Sequence, residues 1–235
     1  MKYFPFGVVL VLVMVLLLSA CAEPDTTLVT VQTETSTAFF GSAHSPPDER
    51  LATASQQNPD TVAWLTVPGT NIDGPVVQAA DNEYYLRRDA LAQPAFTGCY
   101  YADYECDFAQ LSTNTIIYGH TFTEDGEDPN VGFGQLRFFE DPDFVKEHPV
   151  IILSVAQQKM EFEVISVGYA NTDQEQVCIL AQPTSSEFRD LVSLTAKRNV
   201  LGPLPLLSQA DKLLTLSTCT EQKNNRLLIV ARLRS

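Results

Sequence analysis

Positive charge is scarce in this sequence, which carries 15 Lys and Arg residues against 29 Asp and Glu residues over 235 positions. The basic residues are scattered, and the adjacent pairs Arg87/Arg88 and Lys197/Arg198 form no larger block. Because binding to a phosphate backbone needs clustered positive charge, this composition argues against the usual nucleic-acid-binding classes. We therefore expect no nucleic-acid partner.

Histidine and cysteine are also few, with 3 His and 5 Cys. The cysteines do not stand at zinc-site spacing, and the sequence has no His-x-x-His cluster. The acidic stretch TEDGEDPN lacks the alternating ligands and the terminal Glu of a calcium-binding loop. We therefore expect no metal ion and no cofactor.

The segment 1–21, MKYFPFGVVLVLVMVLLLSAC, has Lys2 ahead of a long apolar run that ends in small residues. This arrangement is typical of an export signal or a membrane anchor. Residues 18–21, LSAC, resemble the lipobox of bacterial lipoproteins, in which Cys21 would be lipidated; the alternative is an uncleaved signal-anchor. Under either hypothesis the rest of the chain works at the extracellular face of the cell membrane.

The composition changes twice after this segment. Residues 22–47 are rich in Thr, Ser, Pro and acidic residues and have few large apolar ones, which predicts a disordered extracellular stalk. Residues 48–235 are long enough for one domain with a hydrophobic core. This domain begins with DERLATASQQ, which we interpret as a short N-terminal helix.

Short runs of β-branched and aromatic residues follow, separated by Pro, Gly, Asn and Asp, as is typical of strands. We predict eight strands, at residues 61–67, 75–78, 96–102, 114–120, 149–156, 159–169, 212–219 and 226–233. The remaining helical stretches are few and do not alternate with the strands. This order favours a mostly β fold, a closed or nearly closed β-barrel, over a parallel sheet.

Two further helices are predicted, at residues 132–144 (GFGQLRFFEDPDF) and 185–199 (SSEFRDLVSLTAKRN). The first has Phe133 and Leu136 at helical spacing, followed by Phe138 or Phe139. The second is expected to begin with a Ser cap followed by Glu. Its expected apolar face consists of Phe188, Leu191, Val192 and Thr195.

The three histidines differ in their surroundings. His44 lies in the polar stretch SAHSPP, and His148 precedes a proline at the start of a strand, so we expect both at the surface. His120 closes the strand NTIIYGH and is followed by a long polar loop. A histidine at a strand end beside such a loop can meet solvent and substrate, although a purely structural, hydrogen-bonded role remains the alternative.

Cys219 ends the alternating run KLLTLSTC in the same way. By strand alternation Ser217 and Cys219 share one face of their strand, as Tyr118 and His120 do on theirs. A strand cysteine taken alone is more often a buried packing residue than a nucleophile. Cys219 is therefore a candidate nucleophile whose assignment depends on its neighbours.

Arg226 is such a neighbour, because the short connection 220–225 returns the chain to the level of Cys219. Arg232 and Arg234 lie toward the other end of the same strand. A Cys, a His and an Arg at one end of a barrel can carry out acyl transfer. The thiolate attacks, the imidazole transfers protons, and the guanidinium holds the oxyanion.

Three motifs in this order resemble bacterial sortases, and class B sortases in particular. They are residues 58–89, NPDTVAWLTVPGTNIDGPVVQAADNEYYLRRD, then NTIIYGH, and then TLSTC ahead of an arginine at the start of a strand. The first motif departs from the usual class B opening at Ala63, where Gly is common, and at Gly74, where Tyr is common. The link from Cys219 to Arg226 is also shorter than in many class B members.

The resemblance implies an eight-stranded sortase barrel with an N-terminal helix and a long helix between the sixth and seventh strands. It implies that His120, Cys219 and Arg226 are catalytic and that Tyr118 and Ser217 line the substrate groove. The enzyme would cleave the sorting pentapeptide of a surface protein after its Thr and form a thioacyl intermediate on Cys219. It would then transfer the protein to an amine of a peptidoglycan precursor or a pilin, as in the cell walls of Gram-positive bacteria.

Two other function classes share some of these features. A cysteine peptidase or other hydrolase has the same nucleophile and base but uses water as the acceptor. A non-catalytic lipoprotein would use the barrel only to bind a ligand. Of the remaining cysteines, Cys99, Cys106 and Cys178 are expected to be free thiols, with a Cys99–Cys106 disulfide as the alternative.

Overall fold

The computed structural model of the protein describes residues 48–123, 125–219 and 225–234, without the side chains of Thr123, Glu127 and Cys219. The predicted anchor 1–21 with Cys21, and the predicted stalk 22–47 with His44, lie outside the described residues. No helix in the described ranges combines the length and the apolar character needed to cross a bilayer.

The main structure is a closed eight-stranded barrel, so the predicted fold is confirmed. Its strands are β1 (Thr61–Thr66), β2 (Asp73–Val77), β3 (Tyr100–Ala102), β4 (Asn114–Gly119), β7 (Val150–Val155), β8 (Gln158–Asn171), β9 (Leu213–Cys219) and β10 (Asn225–Leu233). Around the barrel they follow the order β1-β2-β3-β4-β9-β10-β8-β7. A separate two-stranded sheet, β5 (Phe122–Thr123) with β6 (Gly126–Glu127), occupies the loop predicted after His120.

The barrel closes around one apolar core because side chains alternate along each strand. In β1 every second residue is buried, and Ala63 and Leu65 point into the core. Ile117, Phe162 and Ile229 reach the same core from three other strands. Burying one large aliphatic or aromatic side chain contributes about 2 kcal/mol, so this shared core is the main source of stability.

In the described ranges three α-helices lie outside the barrel, and each begins at a capping side chain. They are α1 (Glu49–Gln57) after Asp48, α2 (Pro142–Glu147) after Asp141 and α3 (Ser185–Arg198) after Thr184. The predicted Ser cap of α3 is wrong: Thr184 caps it, in a reciprocal capping box with Glu187. The predicted long helix between the sixth and seventh barrel strands is confirmed, and its buried Phe188 and Leu191 pack in one cluster with residues of β8 and β10.

The single helix predicted over 132–144 is also wrong. A 3-10 helix (Gly134–Glu140) and α2 divide that segment at Asp141, which has an extended backbone. The division follows from Pro142, because a residue before proline avoids the helical region. A second 3-10 helix, Gln176–Ile179, precedes α3.

Strand directions bring three strand ends to one edge of the barrel. β4 and β9 are parallel neighbours, and β10 runs antiparallel to β9. The ends of β4 and β9 therefore lie beside the beginning of β10. His120, Cys219 and Arg226 stand at these three points in the chain.

Candidate active site

Backbone pairing places the three predicted catalytic positions together. Arg226 pairs with Cys219 across β9 and β10. Residues paired in this way occupy the same face of a sheet, so positions 219 and 226 share one face. On the other side of β9 the last pair is Gly119 with Thr218, and His120 and Cys219 are the next residues of their chains. The thiol itself lies outside the described atoms, so its location is known only from the backbone of β9.

His120 is held by a backbone carbonyl. The His120 side chain is buried, and its Nε2 atom lies 2.8 Å from the carbonyl oxygen of Leu86. Because a carbonyl oxygen only accepts hydrogen bonds, Nε2 carries a hydrogen in both the neutral and the charged imidazole. The nitrogen that gains and loses a proton is therefore Nδ1.

The surroundings of His120 favour the neutral ring. Burial lowers the pKa of the His120 imidazole below its ordinary value, and the charges of Arg87 and Arg226 lower the pKa further, while the bond to Leu86 opposes this shift. A lowered pKa makes His120 a proton acceptor over most of the neutral pH range. The imidazolium is then a minority form that gives up its proton readily.

Gly98 leaves room for this imidazole. Its φ angle is +60°, and an added Cβ would lie 3.0 Å from Cδ2 of His120 and 2.9 Å from the oxygen of Leu86. We expect Gly98→Ala to disturb the Leu86–His120 bond and to lower kcat/KM about 10- to 100-fold, because the resemblance implies that His120 is catalytic and small misplacements of catalytic groups are costly. Steady-state cleavage of a sorting peptide measures this loss.

Gly202→Ala is the matched control, since Gly202 also has a positive φ, +113°, but an added Cβ there meets no atom within 4 Å. This variant also strains the backbone at a positive φ angle, but its added Cβ does not contact His120. Equal losses of activity in the two variants would mean that strain, and not contact with His120, limits the rate.

Arg226 reaches across β9 toward β4. Its Nε atom donates a hydrogen bond to Oγ1 of Thr172 at 3.2 Å. Its guanidinium carbon lies 5.7 Å from the centre of the Tyr118 ring, within the range of a cation–π contact. Because β9 lies between β4 and β10, this contact passes over the strand that carries Cys219. The guanidinium therefore lies over the strand that ends at Cys219.

Tyr118 and Ser217, which the resemblance implies as groove residues, are paired neighbours on β4 and β9. Both are almost fully covered, with 5% of Tyr118 and 0% of Ser217 exposed. Tyr118 donates its phenolic hydrogen to Oδ2 of Asp103 at 2.8 Å, and the Ser217 hydroxyl has no hydrogen-bond partner among the described residues. Their predicted part in substrate binding stays a prediction.

The remaining cysteines of the described ranges are free thiols, as predicted, and the alternative Cys99–Cys106 disulfide is wrong. Burial raises the pKa of Cys99 and of Cys106 to about 12 and that of Cys178 to about 11. Because the thiolate is the nucleophilic form, these three thiols are poor nucleophiles at neutral pH. His148 is the C-cap of α2, is half-buried, and packs its ring against Phe144.

Three contacts of this site escaped the sequence reasoning, namely the Leu86 carbonyl, the Thr172 hydroxyl and the Asp103 carboxylate. A backbone carbonyl has no side-chain signature in a sequence. Asp103 stands directly after the strand that contains YYA, and an acid at that place is an ordinary turn residue. No group of three or more His, Cys, Asp and Glu side chains in the described ranges is arranged to hold a metal ion, and the absence of a metal stays a prediction.

Comparison with known proteins gives one consistent result. The sortase domain family matches residues 65–234. The chain is 32% identical over 176 residues to sortase B of Listeria monocytogenes serovar 1/2a, covering 75% of this chain and 69% of that protein. It is 25% identical over 179 residues to sortase B of Staphylococcus aureus, covering 75% and 71%.

Solved structures agree with the sequence comparisons. The structure of Clostridium perfringens sortase B has a TM-score of 0.69 at 26% identity, covering 78% of this chain and 99% of that one. A Staphylococcus aureus sortase B–substrate complex also has a TM-score of 0.69, at 23% identity, and covers 79% and 84%. The second likeness concerns the fold alone.

Proposed function

The chain belongs to the sortase family, within its class B, and is a sortase-type cysteine transpeptidase; from this premise we propose that Cys219, His120 and Arg226 are its catalytic residues. In this proposal the enzyme cleaves a sorting pentapeptide and transfers the acyl part to an amine. The observation that supports it best is the backbone pairing of Arg226 with Cys219 beside the end of β4, where His120 follows.

The reaction begins when the Cys219 thiolate attacks the carbonyl carbon of the scissile amide. Arg226 stabilises the negative oxygen of the tetrahedral intermediate, because its fixed charge and planar donors suit an oxyanion. The C–N bond then breaks, and Nδ1 of the His120 imidazolium gives its proton to the departing amine. The products of this half are a thioester on Cys219 and a neutral His120.

The second half runs in reverse with a new amine. Neutral His120 takes a proton from the acceptor amine as its nitrogen attacks the thioester carbon. The C–S bond breaks, a new amide forms, and Cys219 and His120 return to their starting protonation. The lowered pKa of His120 suits this half, since the neutral base is then the dominant form.

Substrate contacts form a finer part of the proposal. The Ser217 hydroxyl is buried and has no hydrogen-bond partner in the described residues, which supports a role in pairing with a polar group of the bound peptide. Tyr118 lies beside it on the neighbouring strand. We assign both residues to the groove that receives the sorting peptide.

The proposal extends to the place of action and to the partners. We infer that residues 1–21 hold the enzyme at the extracellular face of the cell membrane, through an anchor or a lipidated Cys21. The partners are surface proteins that carry a sorting signal, and the acceptor is an amine of a peptidoglycan precursor or a pilin. The long apolar run after Lys2 supports the membrane attachment, and the scattered basic residues agree with the absence of a nucleic-acid partner.

A peptide screen tests the proposal. The full chain in detergent micelles is mixed with a pool of labelled sorting pentapeptides, with and without triglycine or a lysine peptide. We expect a mass increase on the Cys219 peptide and a transfer product that requires the amine. Release of free acid alone, unchanged by amine, would point to a hydrolase, and no adduct with any peptide would favour a ligand-binding lipoprotein.

A further inference from the structure

A buried carboxylate lies behind the catalytic arginine. Asp103 follows β3 and is only 4% exposed. Its Oδ2 accepts hydrogen bonds from the Tyr118 hydroxyl and from Nδ2 of Asn82, both at 2.8 Å, and its Oδ1 accepts the backbone N–H of Glu105 at 3.0 Å. A buried charge is costly unless it is fully hydrogen-bonded, and the proposed reaction leaves this carboxylate without a chemical role. Its position therefore calls for a function of another kind.

The Tyr118 ring connects this carboxylate to Arg226. One end of Tyr118 donates to Asp103, and its ring lies 5.7 Å from the guanidinium carbon of Arg226. Burial raises the pKa of the Tyr118 phenol, and the Asp103 charge raises it further, so the phenol remains a hydrogen-bond donor. Donation to a carboxylate increases the electron density of the ring, which strengthens its attraction for a cation.

Arg226 is fixed from two sides before substrate arrives. Thr172 on one side accepts the hydrogen bond from Nε, and the Tyr118 ring on the other side carries the guanidinium. An arginine side chain has several rotatable bonds, so holding it in one conformation removes an ordering cost from the reaction. The ring also packs against Tyr101 in a tilted arrangement, with 5.2 Å between the ring centres, which limits its own movement.

We propose that Asp103 is a positioning residue that acts through the Tyr118 ring to hold the Arg226 guanidinium over the strand that carries Cys219. This inference rests on the proposed function, because it assigns Arg226 a place beside the reacting thiol. It adds a residue that touches neither the peptide nor Cys219. In this arrangement the Asp103 carboxylate fixes the Tyr118 hydroxyl and with it the orientation of the ring. The ring in turn fixes the position of the Arg226 guanidinium.

The direction in which the alkylation rate of Cys219 changes when Asp103 is replaced separates a positioning role of Asp103 from a direct effect of its charge. If Asp103 acted only through its negative charge, its removal would favour the Cys219 thiolate and speed alkylation of that thiol. If Asp103 holds Arg226 in place, its removal takes a positive charge away from the thiolate and slows alkylation. The two explanations therefore predict opposite changes.

The experiment measures the rate at which iodoacetamide, an uncharged reagent, modifies Cys219 in the full chain between pH 6 and 9. Peptide mass spectrometry separates Cys219 from the other cysteines. We expect Asp103→Asn and Tyr118→Leu each to slow the reaction about tenfold at pH 7 and to move its pH midpoint upward, as loss of one cation–π contact suggests. Tyr118→Phe, which keeps the ring but removes the bond through which Asp103 acts, should slow the reaction about as much as Asp103→Asn does.

Asp60→Asn is the matched control, because Asp60 accepts the hydroxyl hydrogen of another tyrosine, Tyr85, at 2.6 Å without contacting Arg226. It should leave the Cys219 rate unchanged. In an Arg226→Ala background, which is itself slowed, Asp103→Asn should add less than about twofold, since residues in one pathway do not act additively. If Asp103→Asn does not fold, the alkylation rate of Tyr118→Phe is compared instead, in the otherwise unchanged protein and in the Arg226→Ala background.

Three results would overturn the inference. Faster alkylation in Asp103→Asn would show a direct charge effect. If Asp103→Asn slowed alkylation as much in the Arg226→Ala background as in the otherwise unchanged protein, Asp103 would have a structural role unrelated to the arginine. An unchanged rate in Arg226→Ala alone would remove Arg226 from the neighbourhood of the thiol, and that result contradicts the proposed site itself and not only the role of Asp103.

Discussion

Replacing Cys219 with Ala is expected to abolish both cleavage and transfer of a sorting peptide, with a loss of about 10⁴-fold or more. The reason is that the proposed mechanism carries the acyl group on the Cys219 sulfur, which an alanine side chain cannot replace. Mass spectrometry of the peptide products, with and without triglycine, measures the loss. The covalent adduct on the Cys219 peptide should disappear in the same variant.

Cys178→Ala is the matched control for this change. Cys178 is also a free thiol, but it is buried in the cluster that includes residues of α3, and burial raises its pKa to about 11. We expect this variant to keep its rate and to lose at most a little stability, since a small buried side chain becomes smaller. If Cys219→Ala retained cleavage and transfer of the peptide, Cys219 would not carry the acyl group, and its assignment as the nucleophile would be wrong.

The sequence predicts the barrel well because alternation is a local property. In β9 the buried core residues Leu214 and Leu216 alternate with Thr215 and Ser217, and that pattern alone marks a strand with one face toward the core. The same reasoning holds for β4 and β10. It also places the three catalytic candidates at strand ends, because each strand stops where its apolar run stops.

Features that depend on one backbone angle are less visible in the sequence. The predicted strand 96–102 is shortened to Tyr100–Ala102, since Gly98 has a φ angle of +60°, which a strand does not accept. The loop after His120 contains a small two-stranded sheet that is too short to show a periodic pattern. Both differences lie next to the candidate site, where the chain turns around His120.

Contacts between distant parts of the chain were the hardest to foresee. The Leu86–His120 bond joins residues 34 positions apart, and the Asp103–Tyr118 bond joins residues 15 positions apart. Strand alternation states which face a side chain occupies but not what covers that face. The groove role of Tyr118 and Ser217 is implied only by the resemblance to class B sortases and stays a prediction, and the structure shows both residues buried.

Arg226→Lys should lower kcat/KM for the sorting peptide about 10²- to 10³-fold, the usual cost of removing an oxyanion donor. Lysine keeps the positive charge but loses the planar guanidinium, whose carbon lies 5.7 Å from the centre of the Tyr118 ring. Because the charge remains, the pKa of His120 should stay low in this variant. Arg226→Gln removes the charge as well, so the same loss of rate should come with a higher His120 pKa.

The direction of the change in the His120 pKa follows from the charged neighbours of His120. A nearby cation disfavours the imidazolium, so removing it lets His120 hold its proton to higher pH, and the acid limb of the pH–rate profile moves upward. NMR titration of the imidazole signals measures this directly. Only 3 histidines are present, and the His120→Asn variant identifies the signal.

Arg87→Gln distinguishes two roles of positive charge near His120, namely lowering the His120 pKa and stabilising the oxyanion. Arg87 also lowers the His120 pKa, but its guanidinium is engaged at Phe96, where its carbon lies 4.3 Å from the ring centre. We expect Arg87→Gln to raise the His120 pKa with little loss of maximal rate, in contrast to Arg226→Gln. Equal losses in both glutamine variants would mean that these arginines act by tuning the imidazole, and the oxyanion role of Arg226 would then be wrong.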